Sequence, residues 1–401
     1  MKDLKYLGHA SIYFRTDTTS IVTDPWFSKT GAYESNWFQY PDNTDIDFSW
    51  IDTLDYVCIS HEHQDHCDIE FLKKLNSSTK IVTANFTNKR FLKLLKSNLV
   101  NEIIEVDDRS TYILGDIKYT PMIQVPMGQE DSAMIFEVDD EVIMNFNDMK
   151  PSQKDINWIK EKFDVTYLLK QFSGASWYPL IYDYDDNKIK ELCKDKRLFK
   201  YQVILNTITQ LNPKFYIPFA GPPCFLNDKM FHINLLEENT FPNESDIYHH
   251  FKEHHPKVAE KFVVLTPGDS IDCNWKENLK KECFTDKEKY LINYRDRRKN
   301  VIEESLTKIE RVDYSLLKKS VKYFNPLMKS AKRICKNIDG SILFNVTGDY
   351  NEGIIVDFVR KRVKNFDLDK HFYEFDIEGK WLNHILENKM TWEEFFLTLN
   401  F

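Results

Sequence analysis

The chain has 401 residues, 42% hydrophobic and 14% aromatic, enough for a large buried core and more than one domain. Its 54 Lys and Arg against 63 Asp and Glu leave a formal net charge of −9, which excludes the basic face that general nucleic-acid binding needs. Seven scattered cysteines without a C-x-x-C, a charged N-terminus and no long apolar run predict a protein of the reducing cytoplasm with no membrane span.

Residues 4–27 read as two strands turning at Thr16-Asp17-Thr18-Thr19. Residues 28–50 are irregular and aromatic (Trp37, Phe38, Tyr40, Trp50), a composition that suits the wall of a cleft. Leu54-Asp55-Tyr56-Val57-Cys58-Ile59 has strand character. Further on, Ile69, Leu72 and Leu75 recur at helical spacing behind Asp68, a good N-cap. Between the two lies Ser60-His61-Glu62-His63-Gln64-Asp65-His66. This segment is therefore a loop at the carboxyl end of a strand, where open α/β sheets bind ligands.

His61, His63, Asp65 and His66 crowd into six residues. Neutral imidazole nitrogens beside an anionic oxygen suit a divalent transition metal. In an extended loop His61 and His63 point to one side while Asp65 and His66 reach a second position. Two adjacent ions fit that layout better than one.

Helical pattern covers 68–76 and 86–98, with a strand at 80–84 between them. Strands follow at 102–106, 111–114, 117–124, 132–138 and 141–147, the last running into the turn-like Asp148-Met149-Lys150-Pro151-Ser152. A charged stretch at 273–287 marks a domain boundary. Beyond it, 285–401 reads as helix, strands at 341–347, 353–358 and 372–377, then short helices. His249, His250, His254 and His255 have the spacing of a helix surface, and Arg295, Arg297, Arg298 and Lys299 that of a solvated helix face.

Residues 61–66 match the HxHxDH signature of the metallo-β-lactamase superfamily. Lys5-Tyr6-Leu7-Gly8-His9-Ala10-Ser11 and Ile21-Val22-Thr23-Asp24-Pro25-Trp26 resemble its opening strands, which place His9 and Asp24 close behind the metal ligands. The stretches from Gln171 to Pro179, Ile217 to Phe225, Gly379 to Leu382 and Met390 to Phe395 resemble the CMP-N-acetylneuraminate hydroxylase branch. The resemblance implies an α+β protein, an αββα sandwich in residues 1–280 with a smaller α+β domain at 285–401. It implies His61, His63, Asp65 and His66 as ligands and Asp148 as a carboxylate bridging two ions, lowering their mutual repulsion. It also sets a small-molecule substrate, such as a nucleotide-linked or acylated amino sugar, against Ser173, Trp177, Tyr178 and Cys224.

The sequence departs from the superfamily pattern where a further histidine is customary. Residues 124–132 contain none; the nearest replacements are Gln129, Glu130 and Asp131, and Glu130 is taken as the sixth ligand. For the customary late histidine the candidates are Asn227, Asp228 and His232. Exchanging imidazole for carboxylate hardens a site towards iron or manganese. The leading expectation is therefore a non-haem oxygenase with two divalent ions, iron favoured over zinc or manganese, that uses dioxygen. The only C-x-x-H is Cys58–His61 and no C-x-H exists, so a Rieske cluster has no ligands here and electrons would come from an external donor. The alternative is a zinc or manganese hydrolase of a phosphodiester, ester or amide, with Asp65 and Glu130 handling the attacking water. A scaffold without chemistry is the third reading.

Overall fold

A computed structural model of the chain describes residues 1–125, 130–174, 176–238, 240–309, 315–348, 352–366 and 373–400. The chain divides into two compact units. One comprises residues 1–32, 36–176 and 184–298; the other comprises 33–35, 177–183 and 299–401.

The first unit holds two six-stranded sheets. In one, β1 (Asp3–Gly8), β2 (Ser11–Arg15), β3 (Ser20–Thr23), β4 (Tyr56–Ile59), β5 (Lys80–Ala84) and β6 (Ile103–Val106) lie in sequence order. Its first three strands are antiparallel and its last four parallel. In the other, β7 (Tyr112–Leu114), β8 (Ile117–Gln124), β9 (Asp131–Val138) and β10 (Glu141–Asn145) form an antiparallel meander. There β11 (Tyr167–Gln171) and β12 (Phe215–Phe219) continue parallel to β10.

Side-chain alternation sorts three apolar layers. Cys58, Phe14, Ile21, Phe136, Ile143, Leu169 and Ile217 meet between the sheets, where the Phe14 and Phe136 rings cross edge-to-face at 4.9 Å. Val57 and Ile59 turn outward onto α1 (Ile69–Leu72) and α2 (Arg90–Asn98). Met144, Leu168 and Tyr216 turn outward onto α3 (Gln153–Lys162), α4 (Asp186–Leu211) and α5 (Glu244–His254). This is the αββα sandwich.

Several expectations change. Residues 3–23 form three strands, because Gly8 (φ +109°) and His9 (φ +51°) make a further tight turn ahead of β2. The helix expected at 68–76 shortens to Ile69–Leu72. β10 stops at Asn145, since the left-handed Asn147 (φ +47°) cannot extend a strand. Trp37, Phe38, Tyr40 and Trp50 are buried, and Trp50 stacks on Tyr13 at 5.5 Å, so they pack the core. The division expected at 280–285 falls at Arg298, inside the helix Lys287–Ile309, because Leu291 and Tyr294 on its early turns are buried with the first unit. Arg298 in that stretch pairs with Asp42 at 3.0 Å and is buried, unlike a solvated face.

The second unit is a smaller α+β body. Its sheet runs Arg362–Asn365, Glu352–Asp357, Ser341–Thr347, Tyr373–Glu378, and it buries Trp381, Phe395, Phe344 and Val356 with the flanking helices. Among the described residues no helix is long and apolar enough to cross a membrane.

Glu244, the first residue of α5, is 1% exposed and neither carboxyl oxygen meets a protein donor. Burial pushes this carboxyl up to about 8 from 4.5. Between those values the native state keeps a proton that the unfolded chain has released, so stability falls as pH rises, by roughly 1.4 kcal/mol per pH unit. Glu244→Gln should remove that slope and unfold at higher urea than the parent at pH 8, with the difference fading towards pH 5.

Candidate metal centre

The site gathers at strand ends of both sheets. Asp24 follows β3, the 60–66 loop follows β4, and Asp148 follows β10. His9, Asp24, Asn147 and Ala220, none of them glycine, all take left-handed backbone at such ends. Each costs on the order of 1–3 kcal/mol, and strain of this kind concentrates at functional sites. The loop is tied down beyond His66 by Asp68. Its carboxylate accepts from Phe27 N–H (2.9 Å), Ser28 N–H (2.7 Å) and Phe71 N–H (3.0 Å), the last as helix cap.

Asp24 is fully buried and accepts from Ser60 N–H (2.7 Å), Ser60 Oγ (2.6 Å) and His66 Nδ1 (2.9 Å). With the His66 proton held on Nδ1, Nε2 presents its lone pair to the cluster. That Nε2 is buried and without a hydrogen-bond partner. It stands 3.6 Å from Asp65 Oδ2 and 3.5 Å from Asp148 Oδ1. Ligand atoms each near 2.1 Å from one ion lie about 3.0–3.4 Å apart at ordinary coordination angles, so these spacings suit a cation. His9 Nε2 adds a third atom, 3.1 Å from Asp65 Oδ2.

On the other side, His61 Nδ1 meets Ser60 Oγ at 2.8 Å, with Asp131 Oδ1 3.2 Å away, which turns His61 Nε2 inward, 2.8 Å from His63 Nδ1. Two facing lone pairs at that distance repel unless a proton or a cation lies between them. Two groups of potential ligands result, His61–His66–Asp148 and His9–Asp65–His66. One nitrogen has one lone pair, so His66 serves a single ion. With two ions, His61 and Asp148, joined by the neighbouring His63, could hold one, and His66, Asp65 and His9 could hold the other.

The electrostatics agree. Burial opposes charge on His66, yet Asp65 and Asp148 carry it well above its ordinary range. Burial likewise opposes charge on His61, and Asp131 overrides it upward. Against burial, His66 with His9 holds Asp65 well below the usual carboxylate range, and His66 also lowers Asp148. Burial and the adjacent His61 pull His63 down to about 4, leaving a neutral imidazole.

The expected residues do not all converge. Both Glu130 oxygens accept backbone N–H groups, from Thr87 (2.7 Å) and Asn88 (2.8 Å), so Glu130 anchors the approach to α2. Asp131, one residue on, faces the cluster instead. Gln129 lies outside the described residues. His232 is exposed on a short 3-10 turn, and neither it nor the 249–255 histidines joins a ligand group among the described residues. Ser173 is buried against Gly221. Cys224 is buried, its carbonyl pairs with Phe38 N–H at 2.9 Å, and burial raises its thiol. Trp177 and Tyr178 group with the second unit, where Trp177 packs on Phe396 at 5.4 Å. Gln171, which donates to Asp148, opens the stretch from Gln171 to Pro179 that the family resemblance singles out, but it was not expected beside a metal ligand. A polar residue ending a strand beside β10 was the one signal of that contact.

Residues 3–150 match the family model described as a beta-lactamase superfamily domain. These residues are thus similar to a domain of that superfamily. Residues 316–401 match a model described as an Rv3818-like, SCP2-like domain. A Mycobacterium tuberculosis protein named as a Rieske 2Fe-2S iron-sulfur protein is 26% identical over 423 aligned residues, covering 98% of this chain and 80% of that protein. The cytidine monophosphate-N-acetylneuraminic acid hydroxylase of Xenopus laevis is 28% identical, covering 54% of this chain and 37% of the enzyme. A 4-amino-L-phenylalanyl-[CmlP-peptidyl-carrier-protein] 3-hydroxylase of Streptomyces venezuelae is 27% identical over 28% of this chain and 21% of the enzyme.

Partners that orient a ligating histidine are worth about 10–100-fold in metal affinity. Asp24→Asn should weaken divalent-ion binding by that factor in competition with a chromophoric chelator. His250→Ala should leave it unchanged.

Proposed function

We propose that the chain is a metal-dependent oxygenase with hydroxylase chemistry, holding two divalent ions, with iron favoured. The observation that carries the metal is His66 Nε2: buried, unpartnered, and set between two carboxylates 3.5 and 3.6 Å away. His61, His63 and Asp148 would hold one ion; Asp65, His66 and His9 would hold the other. One feature supports oxygenation over hydrolysis: two relatives are named as hydroxylases.

Bound iron would supply the redox chemistry that activates dioxygen. The chain's own residues do the rest. Asp24 holds the proton of His66 on Nδ1, and Ser60 Oγ with Asp131 holds that of His61, keeping the Nε2 atoms free to bind. Gln171 fixes the Asp148 carboxylate. Trp26, edge-on to His9 at 4.9 Å, and the buried Phe38 and Tyr40 supply apolar bulk to the same unit.

Electrons would come from an external donor. All seven cysteines are free and the sequence lacks paired Rieske motifs, although a relative carries that name. The substrate would be a small molecule; an acylated or nucleotide-linked amino compound fits the relatives' names.

A hydrolase is the second reading, favoured by the intact His61-x-His63-x-Asp65-His66 loop, which serves zinc equally well. Protein purified without oxygen should contain about two iron atoms per chain, show an optical spectrum that bleaches on reduction, and consume dioxygen when re-exposed. Tightly held zinc, with turnover of a chromogenic phosphodiester and no reductant, would replace the oxygenase by the hydrolase.

A further inference from the structure

The turn bearing Asp148 is staked by the end of β11. Phe146 N–H donates to the Leu169 carbonyl (2.8 Å), Gln171 N–H to the Asn147 carbonyl (3.2 Å), and the buried Lys170 ammonium to the Met149 carbonyl (3.3 Å). These bonds fix the main chain of 146–149 and leave the Asp148 side chain free to rotate about χ1 and χ2. The Gln171 side chain removes that freedom: its Nε2–H donates to Asp148 Oδ1, the oxygen that faces His66 Nε2.

We propose that Gln171 is a positioning residue for Asp148, held in place by Gly174. This rests on the metal-centre reading above. An amide can face an anionic oxygen only with its NH2 end, so Gln171 Oε1 must point away from Asp148. There it meets Gly174. A Cβ at position 174 would stand 2.0 Å from Gln171 Oε1 and 2.2 Å from its Cδ, contacts no side chain can make. Gly174 does not lie in the left-handed region, so space for the amide, not backbone conformation, requires the glycine. Its carbonyl is pinned in turn by the Lys200 ammonium of α4 (2.8 Å), which also holds the Thr240 carbonyl (2.8 Å). Lys200, Gly174, Gln171 and Asp148 thus form one continuous series of contacts ending at the cluster. By occupying one lone pair of Oδ1, the amide leaves the second lone pair of that oxygen, and both on Oδ2, in a fixed orientation for the ions.

The test loads the full-length metal-free protein with cobalt(II) and compares the parent with Gln171→Glu, Gln171→Ala and Gly174→Ala. Gln171→Glu keeps the shape but replaces the donor with an anion against Asp148. The expected result is a rise of about 10–100-fold in the Kd of one cobalt ion in all three variants, with Gln171→Glu the weakest binder. The visible cobalt bands should shift, and near-UV dichroism of the metal-free proteins should match the parent. A parent that binds two ions, with Gln171 variants that bind both equally well and give unchanged bands, overturns the positioning role and leaves the metal centre standing. Gly174→Ala behaving as the parent while the Gln171 variants lose affinity overturns the wedge. A parent that binds no cobalt overturns both this inference and the metal reading.

Discussion

The architecture around the site depends on one constraint: a buried imidazole whose two nitrogens have different tasks. His66 gives Nδ1 to Asp24 and leaves Nε2 to a cluster of carboxylates. A buried neutral Nε2 left without a hydrogen bond costs about 1–3 kcal/mol, so a proton or a cation is needed to complete the arrangement. Asp24 is itself fixed by three donors, two of them on Ser60. Ser60 in turn offers its carbonyl to Ser132 Oγ on β9 at 2.8 Å, and this joins the two sheets at the site.

That joint explains why strain collects there. The 60–66 loop must leave β4 and reach the turn after β10 on the opposite sheet. Asp24 and Asn147 adopt left-handed backbone just past strands of the two different sheets, and His9 and Ala220 do the same while sharing a hydrogen bond across the gap (3.0 Å). A core built from Phe14, Phe136, Ile143 and Leu169 between the sheets holds these turns where the chain alone would not. The packing of the sandwich and the geometry of the cluster are in this sense one problem.

What the sequence made legible follows from range. The 60–66 loop was legible because its ligand types lie within one turn of chain, and the parallel strands β4, β5 and β6 because short apolar runs mark them, whereas β11 and β12 were not read as strands. Asp148 needed the family resemblance, since an aspartate before Pro151 has the look of an ordinary turn. Glu130 and Asp131 could not be separated by spacing, because the start of β9 falls between them and decides which of the two turns towards the cluster. His232 failed for the opposite reason: nothing local shows that its 3-10 turn faces outward. Gln171 was illegible because its role depends on β11 lying parallel beside β10, a pairing between segments more than twenty residues apart.

Charge bears on how many ions the cluster suits. Asp24, Asp65, Asp131 and Asp148 bring four carboxylates into a largely buried volume, and the nearby imidazoles are neutral when they act as ligands. Buried anions are costly unless paired. Asp65 and Asp148 raise His66, Asp131 raises His61, and His66 in turn lowers Asp65 and Asp148. Even with both imidazoles protonated, four carboxylates would leave two negative charges. One dication in their place gives the same balance, and a second brings the four carboxylates to neutrality while freeing both imidazoles to bind. Because His66 Nε2 can serve only one ion, a second ion would fall to His61, His63 and Asp148, donors that a single ion beside His66 would leave unused.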